Sequence, residues 1–283
     1  MKVLVTGADG MVGRAVTSHC LSLGDEVMAH NRQSLDITDD EAVRATFARE
    51  SPDAVINCAA WTDVDGCESD SERAFRVNCR AVESLSLNSR RVEAVFVTIS
   101  TDYVFDGERE GFYTQRDDPA PRSVYGIAKL EGERRAQAAS ARTVVVRSGW
   151  IFGPGGRNFL STVIERARRG ERLKTISDSY GTPTYALDLA ARLRELAQLD
   201  LPGVYHVVNA GAGASFEEFT RAALKVAGCE ALKVEAVSMD TLQRPAPRPR
   251  NSRLRCLLSE ALGLQPLPNW ESALANFAGS TVG

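Results

Sequence analysis

The sequence lacks a long hydrophobic run and a marked excess of charge. No window approaches the roughly 18 consecutive apolar residues of a membrane helix, and the first residues reach Gly7 and Asp9 too soon for a signal-peptide core. The 34 Lys and Arg residues nearly balance the 37 Asp and Glu residues, leaving a formal charge of -3. We therefore expect no membrane partner and no nucleic-acid partner for the whole chain, and a cytoplasmic location.

Metal-binding patterns are also missing. The six cysteines form no C-x-x-C pair, and none of the three histidines lies near a cysteine cluster. A zinc site needs several such ligands at short spacing. We predict no metal site and free, buried thiols in a reducing compartment.

The chain instead alternates short apolar runs with longer amphipathic stretches. Strands are predicted at 2–6, 26–29, 54–57, 94–100 and 143–147, and helices run from the glycine loop to about 23 and over 39–49, 69–91 and 123–139. Because parallel neighbours need crossover helices, the pattern predicts an α/β fold with a Rossmann-type, doubly wound parallel sheet. Residues 1–150 would form this dinucleotide-binding domain, and 151–283 mainly a smaller, loop-rich C-terminal cap for substrate. Within 151–283, a segment near 185–210 would return to the sheet.

Three glycines follow the first predicted strand. Gly7, Gly10 and Gly13 form a G-x-x-G-x-x-G pattern that opens the first helix. This spacing lets backbone N–H groups approach a pyrophosphate at the positive end of a helix. It favours a dinucleotide site over an ordinary tight turn.

The end of the second strand bears on the choice of dinucleotide. A site for NAD usually carries an acid there to bind the ribose 2′-OH, whereas residues 29–32 read AHNR. The Arg32 guanidinium suits a 2′-phosphate, so we predict NADPH, with NADH possible and a plain surface arginine as the alternative. Asp36 would cap a helix, contact adenine, or do both.

A tyrosine and a lysine lie four residues apart on the helix predicted over 123–139. Tyr125 and Lys129 would share one face, where the ammonium would lower the pKa of the phenol and make it a general acid towards a developing alkoxide. A surface pair is the alternative. Ser100 and Thr101 end a predicted strand at the usual ligand edge of such a sheet, and either hydroxyl could polarise a carbonyl oxygen.

With these motifs the chain resembles the extended short-chain dehydrogenase/reductases, and several longer strings resemble one branch, the dTDP-4-dehydrorhamnose reductases. The strings are VINCAAWTDVDGCE at 55–68, ISTDYVFDG at 99–107, YGIAKLEGE at 125–133, RNFLSTV at 157–163, YGTPTYALDLA at 180–190 and RPRNSRL at 248–254. They extend over the sheet domain and the cap.

The resemblance implies roles for individual residues. Tyr125 would donate the proton, and Lys129 would bind the nicotinamide ribose and tune the phenol. The pyrophosphate would be lined by Gly10, Met11 and Val12, and the adenine by Asp36 and Ile37. The ribose-phosphate side would be lined by Ala59, Ala60 and Trp61.

On the substrate side the resemblance selects Thr101 as the hydroxyl. The residues that would contact the sugar are Thr101, Asp102, Tyr125 and Trp150. Two more residues, Asn158 and Arg248, would also bind substrate, since they lie in family-like strings of the cap. The Trp150 indole would pack on an apolar sugar or base face, or fill the domain seam.

Five arginines crowd the Pro-rich stretch near the C-terminus. One or two of them would clamp a diphosphate, and the alternatives are a solvated basic loop and an RNA-binding patch. The five are Arg244, Arg248, Arg250, Arg253 and Arg255.

One position departs from the family pattern. Some rhamnose reductases dimerise through magnesium held by glutamates, one of them two residues after the third glycine. This chain has Ala15 there, preceded by Arg14, so the carboxylate ligand is missing. We predict a monomer or a metal-independent homodimer.

The expected activity is NADPH-dependent reduction of the C4 keto group of a nucleotide-activated 6-deoxy-4-keto sugar. The resemblance points to conversion of dTDP-4-dehydro-L-rhamnose to dTDP-L-rhamnose. Two alternatives stay open: another deoxysugar ketoreductase or nucleotide-sugar epimerase on this fold, and a non-catalytic NADP-binding subunit like that of methionine adenosyltransferase.

Overall fold

A parallel sheet of six strands forms the centre of the protein. The computed structural model describes residues 1–156 and 158–280; Arg157, which begins one of the family-like strings, and residues 281–283 of the expected cap lie outside them. In chain order the strands are β1 (Lys2–Thr6), β2 (Glu26–His30), β3 (Ala54–Asn57), β4 (Val95–Thr101), β5 (Thr143–Ser148), β6 (Ile151–Phe152), β7 (Leu173–Ile176), β8 (Tyr180–Gly181), β9 (Thr184–Tyr185), β10 (Gly203–His206), β11 (Ala214–Ser215) and β12 (Val234–Val237).

Helices cover both faces of this sheet, and further helices belong to the cap. In chain order the helices are α1 (Met11–Ser22), α2 (Asp40–Glu50), α3 (Val64–Ser69), α4 (Ser71–Phe75), α5 (Ala81–Arg91), α6 (Val124–Ala139), α7 (Phe159–Arg168), α8 (Ala186–Leu199), α9 (Phe216–Val226), α10 (Leu257–Ala261) and α11 (Trp270–Ser280). No helix of the described residues is both long and apolar enough to cross a bilayer.

The strand order is β10-β5-β4-β3-β1-β2, with all neighbours parallel. Val3 and Val5 pack towards α1 and α8, and Leu4 packs towards α2 and α5 on the other face, as alternation along a strand requires. Because β1 lies between β2 and β3, the chain reverses direction across the sheet there. Such a switch point leaves a crevice at the carboxyl ends of the strands. These features confirm the predicted α/β, Rossmann-type fold.

The segment 69–91, expected as one helix, is interrupted. The Asp70 carboxylate accepts a hydrogen bond from the Arg73 N–H (2.9 Å) and caps a new helix, α4. The chain then widens into a π-helical turn, Arg76–Arg80, before α5 begins. The single-helix prediction was wrong here because a capping carboxylate and a wider turn break the regular period.

The cap, expected to be loop-rich, contains both strands and helices. Strands β7 and β12 pair in parallel, while helices α7, α9 and α11 surround an aromatic core that includes Phe152, Phe219 and Trp270. Strand β10 forms the edge of the central sheet beside β5, and α8 packs on one face of that sheet. The domain boundary at residue 150 stays a prediction.

Candidate active site

The glycine loop forms the floor of a long cleft. Gly7 has a φ of +66°, and a Cβ there would lie 2.7 Å from the Ala59 nitrogen; a Cβ on Gly13 would lie 2.1 Å from the Gly7 carbonyl oxygen. These two glycines let β1, β3 and α1 approach one another. Gly10 differs, since among the described residues, its chain neighbours apart, its would-be Cβ comes within 4 Å of the Gly7 oxygen alone, at 3.2 Å. Gly10 lines the cleft at the positive end of α1.

This difference between the glycines gives a testable result. A Gly13→Ala substitution is expected to cost roughly 1–3 kcal/mol of unfolding free energy, because the methyl group would overlap backbone. Gly10→Ala is expected to lower the melting temperature much less, because its methyl group would lie 3.2 Å from the Gly7 oxygen, and to weaken dinucleotide binding, because Gly10 lines the cleft. Thermal unfolding and a fluorescence titration with reduced cofactor measure both effects. Equal destabilisation by the two substitutions would contradict this assignment.

The cleft consists of two cavities of about 750 Å³ and about 590 Å³ that share five lining residues around the glycine loop. Eight residues predicted for cofactor line the first cavity: Gly7, Gly10, Arg32, Asp36, Ile37, Ala59, Ala60 and Trp61. The second is lined by predicted cofactor, catalytic and substrate residues: Gly10, Met11, Val12, Gly13, Ala59, Ala60, Thr101, Asp102, Tyr125, Lys129, Trp150 and Asn158. The cleft therefore brings together the predicted site residues other than the arginines of 244–255.

Tyr125 and Lys129 lie one turn apart near the start of α6. The Ser123 hydroxyl caps this helix by accepting from the Gly126 N–H (3.1 Å). The side chains line the second cavity and are largely buried, with Tyr125 8% and Lys129 4% exposed. The Lys129 ammonium donates to the Ile99 carbonyl oxygen of β4 (2.6 Å), which fixes it beside the sheet.

Burial shifts the pKa values of Tyr125 and Lys129 in opposite directions. Burial lowers the pKa of Lys129 to about 8, with the nearby Glu133 acting against the shift. The pKa of Tyr125 is raised, since burial outweighs the hydrogen bond with the Thr101 hydroxyl. The expected net lowering of this pKa is thus wrong for the described structure, because burial of the phenol dominates. Tyr125 keeps its proton at neutral pH, which is the state that a proton donor needs.

Three buried polar atoms without a hydrogen-bond partner among the described residues belong to side chains that line the second cavity. They are Ser100 Oγ, Ser148 Oγ and Asp102 Oδ2. Other such atoms of the described residues, on Thr17, His30 and His206, lie outside this cavity.

The Asp102 carboxyl is positioned by a hydrogen bond with Thr101. The Thr101 hydroxyl donates to Asp102 Oδ1 (3.1 Å) and accepts from the Tyr103 N–H (3.1 Å). Burial raises the pKa of Asp102 to about 6, partly offset by hydrogen bonds from Ser252 and Thr101. A Cβ on Gly149 would lie 2.5 Å from the Asp102 carboxyl carbon, so only glycine leaves this carboxyl its position.

Trp150 and Asn158 close the second cavity from the cap side. Trp150 adopts a φ of +47° and stacks on Phe216 with 3.8 Å between ring centroids. Its indole both lines the cavity and packs within the cap, so the two roles considered for it are geometrically compatible. Asn158 caps α7 by accepting from the Ser161 N–H (3.0 Å) and donates to the Gly153 carbonyl (3.0 Å).

Arg248 lies outside the cleft. Its guanidinium donates to both carboxylate oxygens of Asp65 (2.5 and 2.8 Å) and to the Ala246 carbonyl oxygen (2.7 Å). Among the described residues that line the two cavities, none comes from 244–255. A diphosphate clamp from this segment stays a prediction.

The first cavity holds two cations that the sequence reading missed. Arg73 lies over the Trp61 ring at 4.3 Å from its centroid, and Arg76 lies on the π-helical turn. Their signal was weak, because an arginine in a helical stretch usually faces solvent. Asp36 lines the same cavity, and its carboxylate accepts from the Thr38 N–H (3.0 Å) and hydroxyl (2.8 Å). The helix-capping role considered for Asp36 was wrong, because Asp39 caps α2.

The position where some rhamnose reductases carry a magnesium ligand is apolar here. Ala15 is buried in the core against α8, and Arg14 donates to the Gly155 carbonyl oxygen (3.2 Å). No three His, Cys, Asp or Glu side chains of the described residues are grouped to hold a metal ion. The absence of a metal and the oligomeric state stay predictions.

Fold and site together define a class. A parallel sheet with a glycine loop at its switch point, and a threonine, a tyrosine and a lysine around one cavity, make this protein an oxidoreductase of the extended short-chain dehydrogenase/reductase type.

Comparison with known proteins identifies the branch. The family model for the RmlD substrate binding domain matches residues 1–281. A dTDP-4-dehydrorhamnose reductase of Streptomyces griseus is 38% identical over 277 residues, covering 96% of this chain and 91% of the relative. The chain belongs to the dTDP-4-dehydrorhamnose reductase family, which confirms the resemblance drawn from the sequence strings.

Solved structures agree with this assignment. The dTDP-4-dehydrorhamnose reductase of Clostridium acetobutylicum superimposes with a TM-score of 0.96 at 34% identity and 100% coverage of both chains. The enzyme of Bacillus anthracis, solved in complex with NADP, gives a TM-score of 0.95 at 31% identity and covers 99% of this chain and 100% of the relative.

Proposed function

We propose that this protein catalyses the NADPH-dependent reduction of dTDP-4-dehydro-L-rhamnose to dTDP-L-rhamnose. The observation that carries the proposal is the convergence of Thr101, Tyr125 and Lys129 on a cavity continuous with the glycine-loop cleft. The relatives' names supply the sugar and its nucleotide, and the bound NADP of the Bacillus anthracis enzyme supports the cofactor.

The residues present fit a dinucleotide. Gly10 lines both cavities at the positive end of α1, where the backbone can approach a pyrophosphate without a Cβ in the way. The first cavity would take the adenosine half, with Arg32 near its phosphate, and the second the nicotinamide half. NADPH, when bound, supplies the hydride for C4 of the sugar.

The side chains around the second cavity then have separable roles. Tyr125 holds a proton at its phenol oxygen and gives it to the C4 oxygen as that oxygen becomes an alkoxide, forming the alcohol. Lys129 places a positive charge beside the phenolate left on Tyr125 and lowers the energy of that state. Thr101 and Asp102 offer a hydroxyl and a carboxyl to the sugar, and the Trp150 indole a flat apolar wall.

A panel of nucleotide-activated 4-keto sugars tests the proposal. Consumption of NADPH with dTDP-4-dehydro-L-rhamnose, and an NMR spectrum of dTDP-L-rhamnose as the product, are expected. Turnover of a different 4-keto sugar only would assign the protein to another deoxysugar pathway. Tightly retained NAD⁺ with interconversion of sugar epimers would assign an epimerase. Full cofactor binding without turnover of any sugar would leave a binding role.

A further inference from the structure

The π-helical turn Arg76–Arg80 forms part of the wall of the first cavity, which is proposed to take the adenosine half of the cofactor. The two arginines that bound this turn face different sides: Arg76 lines the cleft, whereas Arg80 lines a different surface groove between α2 and α5. π-Helical turns occur often at functional sites.

The turn is held firmly in place. The Asn78 amide binds the backbone of Trp61 twice, accepting from its N–H (2.9 Å) and donating to its carbonyl (2.9 Å). On the other side, the Asn78 carbonyl oxygen abuts Gly132 of α6, where a Cβ would lie 2.2 Å away. Arg76 therefore starts from a fixed backbone, which reduces the entropic cost of ordering its side chain on a ligand.

Not every arginine around this cavity has a partner within the described part of the protein. Its lining carries the guanidiniums of Arg32, Arg73 and Arg76 against the carboxylates of Asp9 and Asp36. Arg73 lies on the Trp61 ring. Arg32 and Arg76 form no salt bridge with any described residue. The Thr38 hydrogen bonds lower the pKa of Asp36 most, and the charges of Arg32 and Arg76 lower it further.

We infer that Arg76 is a second determinant of NADPH specificity and that it binds the cofactor's 2′-phosphate together with Arg32. The two guanidiniums reach the same cavity from different elements, Arg32 from the loop after β2 and Arg76 from the π-helical turn. A phosphate that carries close to two negative charges matches two cations, whereas the neutral 2′-OH of NADH does not. This inference rests on the proposed use of NADPH.

Cofactor binding without substrate tests it. The Kd values of NADPH and NADH are measured by nicotinamide fluorescence for the wild-type protein and for Arg76→Gln, Arg32→Gln and Arg80→Gln. Loss of one charge-assisted hydrogen bond is expected to weaken NADPH binding about tenfold in Arg76→Gln and in Arg32→Gln, with NADH changed less than about twofold. Arg80→Gln, from the same turn, is the matched control and is expected to leave both Kd values unchanged.

The outcomes are distinguishable from those of the proposed function. An Arg76→Gln protein with unchanged NADPH affinity, or with both cofactors weakened equally, overturns the role of Arg76 even if the wild-type enzyme reduces the sugar. A wild-type protein that binds NADH as tightly as NADPH overturns it as well. Displacement of NADPH by 2′,5′-ADP, weakened about tenfold in Arg76→Gln, would support the 2′-phosphate as the group recognised.

Discussion

Replacing Tyr125 by phenylalanine is expected to lower kcat by about a thousandfold or more while leaving the Kd of NADPH within about twofold. General acid catalysis by a positioned side chain contributes roughly 10²–10⁴-fold, and the phenol is the group whose raised pKa keeps a proton ready at neutral pH. Steady-state kinetics with dTDP-4-dehydro-L-rhamnose and a cofactor titration measure the two quantities separately.

The matched control is Tyr103→Phe. Tyr103 packs edge-on against Tyr125 with 6.1 Å between ring centroids, but it is not among the described residues that line the second cavity. Removal of its hydroxyl is expected to change kcat less than tenfold. A Tyr125→Phe protein that retains activity within tenfold of wild type would show that another group supplies the proton.

Replacing Lys129 by methionine is expected to lower kcat by roughly 10²–10³-fold and to remove the decline of activity at alkaline pH. The ammonium of Lys129 is charged below its pKa of about 8, so wild-type activity should fall as the pH rises through about 8. The variant has no group that titrates at this position, so its low activity should lack that decline. Rates measured between pH 6 and about 9.5 test this.

Stability separates this effect from misfolding. The Lys129 side chain is buried and its ammonium has been removed from water, so methionine at this position should keep or raise the melting temperature. Lys174→Met, at an exposed lysine paired with Glu235, is the control and is expected to keep both activity and its pH profile. The same alkaline decline in Lys129→Met would assign it to another group.

The elements that the sequence predicted best were those with strong local signals. The run 2–6 is a nearly continuous apolar strand followed by three glycines, and these residues fold as expected because their requirements are local. Tyr125 and Lys129 fall on one helix face for the same reason: four residues make about one turn. These patterns were enough to locate the cleft.

What the sequence did not reveal depends on distant partners. Arg248 forms its salt bridge with Asp65, 183 positions away, and no local pattern identifies that carboxylate. The sign of the Tyr125 pKa shift depends on how deeply the packed protein buries the phenol, which spacing does not encode. Arg76 enters the cleft through a π-helical turn within a stretch that reads as a regular helix.

The most direct test of the account is a transfer experiment with NADPH deuterated at C4 of the nicotinamide ring on the transferable face. In the presence of dTDP-4-dehydro-L-rhamnose, NMR of the product should show deuterium at C4 of the sugar. The rate of its appearance should fall by about a thousandfold in Tyr125→Phe. A product without deuterium at C4, or label transfer that is independent of Tyr125, would contradict the assignment of this cleft as a ketoreductase active site.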